Sequence, residues 1–175
     1  NFLEWYSKLQ IPHKLLIGGN HNIALERRHI DPSLLYNKYG ITYMENSSVM
    51  IDGLKIWGSP ITPSFGIGWA WNKPRGKIKI VWDTIPDDTD IVVTHGPPKG
   101  KLDVVLREDG LSREGCTSLS NAIDRVRPLL SLSGHLHDNA GIFQPSGEIT
   151  RYSNAAVVIN SNMRSVCNNG NILFI

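Results

Sequence analysis

The chain has 175 residues, a formal charge of +2, 41% apolar side chains and 19% charged ones. That length suits one domain with a buried core, here residues 1–175, and the apolar share excludes a largely disordered chain. The basic residues are scattered, the densest runs being 27–28 and 73–79; a long nucleic-acid groove is therefore not expected, whereas a small anionic substrate is compatible with the charge.

Phe2, Trp5, Tyr6 and Leu9 recur at helical spacing and predict an amphipathic helix with that stripe buried. It begins without the polar lead-in that usually introduces a helix, so the expectation is a chain whose beginning is missing. Lys14 to Ile17 reads as a short buried strand running into Gly18-Gly19-Asn20-His21-Asn22. A helix is predicted over Leu34 to Tyr39, ending at Gly40, followed by strands at 41–44, 48–51 and 54–57. Asp52-Gly53 is a two-residue hairpin signal. Residues 58–75 are rich in Gly, Pro and Trp, too aromatic for a flexible linker, and predict an ordered surface loop.

Lys77 to Asp83 fits either a strand or a helix. Ile91 to Thr94 is a clear buried strand that delivers His95-Gly96-Pro97-Pro98. Cys116, Leu119, Ile123 and Val126 step at helical spacing up to Pro128, and Leu129 to Ser133 forms a strand running into Gly134-His135-Leu136-His137. Strands at 149–152, 155–159 and 172–175 close an α/β chain. Cys116 and Cys167 are too few for a disulfide framework or a thiolate zinc site, so a reducing, cytoplasmic setting is expected. No apolar run approaches the roughly 18 residues of a membrane helix, and no membrane association is expected.

Three buried strands thus each deliver a small cluster at the carboxyl end: Asn20 with His21, then His95, then His135 with His137. Ligand sites in open α/β sheets gather at such ends, so loops distant in sequence can converge. Neutral imidazole binds Mn, Fe, Zn or Ni, and an amide oxygen joins it where harder cations such as Mg are also accepted. Any one of these histidines alone would be an ordinary core or surface residue; the repeated context favours a metal site.

GGNHN at 18–22, VTHGPP at 93–98 and SGHLH at 133–137 resemble the later motifs of the calcineurin-like metallophosphoesterases, in the family's order. Residues 57–60, HGPPKGKLD at 95–103 and Ser153-Asn154-Ala155 are similar to its small branch with cyclic nucleotide phosphodiesterase activity. The resemblance implies two β-sheets packed as a sandwich, flanked by helices, with a centre for two divalent metal ions at one edge. It further implies that Asn20, His95 and His135 bind one ion and His137 the other. His21 would be the catalytic acid beside the leaving group of a small phosphodiester such as a cyclic nucleotide.

The family's opening Asp-x-His and Gly-Asp motifs, including the carboxylate that bridges both ions, are absent from this sequence. The expectation is that the amino-terminal strands carrying them are missing from it. The alternative is a non-catalytic fragment or pseudoenzyme that binds a nucleotide or a partner. Asn22 stands where the family usually has an acidic residue; it either orients His21 or caps the following segment. Asn154 is expected beside the metal ligands, supporting them. Trp69 and Trp71 are candidates for stacking on a base, although packing of their loop onto the body is the stronger reading. Lys99 and Lys101 are read as solvated loop charges.

Overall fold

The computed structural model describes residues 1–158 and 170–174. In chain order the first elements are α1 (Phe2–Ser7), β1 (Leu15–Leu16), α2 (Ile23–Glu26), α3 (Leu34–Tyr39), β2 (Thr42–Tyr43), β3 (Ser47–Ile51) and β4 (Leu54–Ser59). They are followed by β5 (Thr62–Pro63), β6 (Asn72–Lys73), α4 (Lys79–Trp82), β7 (Ile91–Thr94), β8 (Val104–Arg107), β9 (Gly110–Arg113) and α5 (Thr117–Val126). The last are β10 (Leu130–Ser133), a single 3₁₀ turn (His137–Asn139), β11 (Gly141–Phe143) and β12 (Arg151–Asn154).

The main sheet has six strands in the order β11-β12-β10-β7-β4-β3. Its four inner strands are parallel and its two edges antiparallel. The β3–β4 hairpin turns through Asp52 at φ 49° and Gly53 at φ 82°, the double positive φ of a type I′ turn, which an Asp-Gly pair accepts at low steric cost. Register places Ser59 opposite Thr94, Leu132 opposite Val93 and Ser133 opposite Asn154. The parallel strands therefore finish at one edge, and the residues just beyond them become neighbours.

Side chains alternate across the sheet, so each strand serves two cores. On one face Trp57, Val92 and Tyr152 meet α4 and the buried stripe Leu119, Ala122, Ile123 and Val126 of α5, with Trp82 1% exposed at the centre. On the other face Ile56, Ile91 and Leu130 pack with Met44, Leu15 and Ile17, which come from the parallel β1–β2 pair and its flanks. Val49, Ile51, Leu54, Val93 and Leu132 on this face are only partly buried. The expected sandwich is accordingly reduced: among the described residues its second layer is a pair of two-residue strands, too short to cover six strands.

Other departures have local causes. The residues Phe2 and Trp5 of α1 are 54% and 58% exposed, because Leu3 rather than the aromatic stripe reaches the core. Lys77 to Asp83 resolves as helix α4, with Val81 and Trp82 buried. The expected closing strand at 155–159 is absent over Ala155 to Val157 and the one at 172–175 over 172–174, while residues 159–169 and 175, Cys167 included, lie outside the described residues. The β8–β9 hairpin and β11 were not expected. No helix among the described residues is long and apolar enough to cross a membrane.

Candidate functional site

The ends of β1, β7 and β10 open onto a cleft of about 490 Å³ whose walls include Asn20, His21, Phe65, Trp69, His95, His135 and His137. At its floor Asn20 is 5% exposed, and His95 Nε2 lies 2.7 Å from Asn20 Oδ1. The amide oxygen only accepts, so the shared proton is on the imidazole. The His95 and His135 rings follow, with centroids 4.7 Å apart. Burial pushes His95 down from 6.5 to about 3, with the neighbouring His135, His21 and His137 adding to the shift. His135 is lowered by burial, and by His137 and His21, to about 4. Both rings are therefore neutral near pH 7, the state in which imidazole is a ligand.

Backbone geometry holds these groups in place. A Cβ on Gly19 would lie 2.5 Å from His95 Cε1, so His95 packs directly on a backbone that only glycine leaves bare. His135 has φ 69°, and Leu136 N donates to Gly134 O at 2.8 Å across it. This is a γ-turn of the rarer, strained hand, and strain of this kind persists where the surroundings enforce it. The enforcement is visible in Asn154, 0% exposed, whose Nδ2 donates to Leu136 O at 2.8 Å and to Leu102 O at 3.3 Å. Beyond His137, the side chains of Asn139 and Asp138 accept from Val104 N and Leu106 N, each at 3.0 Å.

The other sequence candidates fall into distinct surroundings. His21 is exposed at the mouth of the cleft, its ring edge-on to Trp69 with centroids 4.9 Å apart at 78°. Asn22 occupies the N-cap position of α2 but makes no side-chain cap bond there: its Oδ1 accepts from Gly19 N at 2.8 Å instead. It closes the loop onto itself because Asn22 N also donates to Gly19 O. Trp69 lines the cleft, whereas Trp71 is 7% exposed and packed with Leu25, Leu35 and Ala70, leaving no ring face for a base. Lys101 is not a solvated charge: it pairs with Glu148 at 2.6 Å and covers the Tyr152 ring. Lys99 donates to Arg113 O. Phe65, whose ring lies 5.0 Å from that of His135, was not singled out by sequence. The aromatic content of 58–75 was the only signal for Phe65.

The donor set suits a borderline divalent cation, with two neutral imidazoles beside an amide oxygen. The buried His137 Nδ1 has no hydrogen-bond partner among the described residues, the condition of a nitrogen that a cation would satisfy. Among the described residues none that lines the cleft is acidic, and no group of three His, Cys, Asp or Glu comes together.

No protein-family model matches the chain. It is 32% identical over 179 residues to proteins of Homo sapiens and Mus musculus, each named metallophosphoesterase domain-containing protein 1, covering 89% of this chain and 53% of each relative. A UPF0046 protein of Caenorhabditis elegans is 30% identical over 97% of this chain and 57% of its own length. A 36% identical stretch lies in a protein of Emericella nidulans named probable rhamnogalacturonate lyase C, covering 79% of this chain but 14% of that protein. The chain spans about half the length of the metallophosphoesterase-domain relatives. Over 89% of its length it is related to the metallophosphoesterase domain-containing proteins, and its relationship is metallophosphoesterase-like.

Proposed function

We propose that this chain works within a metal-dependent phosphoesterase that hydrolyses a small phosphodiester, a cyclic nucleotide being the preferred candidate, at a centre for two divalent ions. The observation that carries this reading is the convergence of Asn20, His95, His135 and His137 on one cleft, with His21 at its mouth. Asn20, His95 and His135 would hold one ion and His137 the other, the metals being manganese, iron, zinc, nickel or magnesium. When bound, such ions lower the pKa of water and hold phosphoryl oxygens for in-line displacement.

The remaining steps belong to the side chains. His21 gives a proton to the departing oxygen, a contribution typically worth about 10²–10⁴-fold. Trp69 holds the His21 ring edge-on. Asn154 fixes the Leu136 carbonyl between His135 and His137, so both rings keep their aim without contacting substrate. Neither a membrane nor a long nucleic acid takes part, and the setting is cytoplasmic.

Among the described residues that line the cleft none is acidic, and this favours one other reading, a nucleotide- or partner-binding protein without turnover. Metal analysis and hydrolysis in the same preparation of the full-length protein separate the two. About two ions per molecule and hydrolysis of a cyclic nucleotide abolished by a chelator are expected. Nucleotide binding with neither metal nor turnover would establish the second reading.

A further inference from the structure

A second cavity, of about 170 Å³, adjoins the cleft and shares His135, His137 and Phe65 with it as a common wall. Its far side is made by Arg75, Arg107 and Glu114, with Asp138 at the edge. The two guanidinium groups and two carboxylates cancel in charge, which disfavours a second phosphate and suits a neutral group rich in hydrogen-bond donors and acceptors.

The polar wall is organised. Arg107 donates through Nη2 and Nε to Glu114 Oε1, at 2.8 and 3.3 Å, and Ser112 Oγ donates to the same oxygen at 2.7 Å. Glu114 Oε2 lies 3.8 Å from Arg75 Nη2 in an ion pair, and neither it nor Arg107 Nη1 makes a hydrogen bond among the described residues, so an acceptor oxygen and a donor nitrogen stand beside each other on this wall. Arg75 is fixed by Gly115 O at 2.9 Å and Glu114 O at 2.8 Å. The β8–β9 hairpin carrying Val105 and Arg107 is tied to the histidine loop through Asn139 and Asp138. The wall and the loop that carries His135 and His137 therefore keep a fixed relation.

We propose that this cavity is a subsite for the heterocyclic base of a nucleotide substrate, read by Arg107 and Glu114 while the phosphodiester lies in the histidine cleft. The assignment rests on the phosphoesterase reading for its second half, and adds to it the place in the fold where the base of such a substrate is held. The volume accommodates one ring system, and Phe65 at the shared wall supplies an apolar surface beside it.

The test uses the full-length, metal-loaded protein and two esters with the same leaving group: the p-nitrophenyl ester of thymidine monophosphate and methyl p-nitrophenyl phosphate. The wild type is expected to show a KM for the nucleoside ester lower by about tenfold or more, the worth of one or two hydrogen bonds. Arg107→Ala is expected to raise that KM about tenfold while leaving the methyl ester within about twofold. Glu114→Gln, which preserves size, is expected to shift the same ester in the same direction. Equal KM values for the two esters in the wild type, or equal losses on both in Arg107→Ala, would overturn the subsite. If the wild type cleaves neither ester, the phosphoesterase reading fails separately, and thymidine binding followed by NMR decides the subsite. Binding that Arg107→Ala removes upholds it, and no binding to the wild type overturns it.

Discussion

The floor and the mouth of the cleft use the same residue type under opposite conditions. At the floor His95 and His135 are half-buried, their rings tilted at 48° to one another, and they are pushed down to about 3 and about 4. At the mouth His21 is exposed and lies nearly perpendicular to the Trp69 indole, at 78°. A ligand must stay neutral and keep its lone pair aimed, which burial and packing on Gly19 secure. A group that hands a proton to a leaving oxygen must exchange protons with solvent, which exposure permits. The placement of each imidazole, rather than its chemical identity, separates the proposed roles.

Substitutions test that separation in order of expected effect. His95→Ala and His135→Ala should each abolish metal-dependent hydrolysis in the full-length protein, a loss beyond the roughly 10–100-fold typical of groups standing behind a ligand. Metal content measured on the same samples should fall with activity, and activity retained with both replaced would remove the metal assignment. Next, His21→Ala should cost about 10²–10⁴-fold with an alkoxide leaving group and less than about tenfold with p-nitrophenolate, which departs without a proton. Equal losses on both substrates would mean that His21 is not the acid. Metal content should be unchanged in this variant.

Smaller effects probe how the floor is built. Gly19→Ala puts a methyl 2.5 Å from His95 Cε1 and is expected to lower kcat about 10–100-fold by displacing the ring. A wild-type kcat would show that the loop yields and that His95 is not held by Gly19. The last prediction concerns acid stability of the metal-free protein. His95 and His135 have folded values below the 6.5 of the free side chain, so the unfolded chain binds more protons between about pH 6.5 and their folded values. Their contribution is present above pH 6.5 and is lost as pH falls toward 4 and then 3, by at most roughly 1.4 kcal/mol per pH unit for each ring. Denaturant unfolding at stepped pH should give a shallower slope in His95→Ala than in the wild type, and an unchanged slope would contradict the burial argument.

Regular local signals were legible in the chain. The spacing over Leu34 to Tyr39 and Cys116 to Val126 became α3 and α5, and Asp52-Gly53 made the expected hairpin. The β-branched run at 91–94 and the apolar run before Gly134 became adjacent parallel strands. The β8–β9 hairpin escaped because Val104–Arg107 and Gly110–Arg113 are mostly exposed and lack the apolar alternation of a half-buried strand. The aromatic stripe of α1 misled because periodicity gives the face that shares apolar residues, not whether another element covers it. Phe65 lay in a loop without a period, where only packing assigns a ring its neighbour.

The sequence by itself determined that histidines and an asparagine follow buried strands, because apolar runs and glycine-bounded ends are local properties. Only the tertiary structure decided that these ends lie side by side, since register between strands far apart in sequence aligns them. It also decided that Trp71 is core while Trp69 faces the cleft, and that His135 takes a left-handed backbone held by Asn154. Each depends on atoms from other segments, through excluded volume and hydrogen bonds that no local pattern specifies.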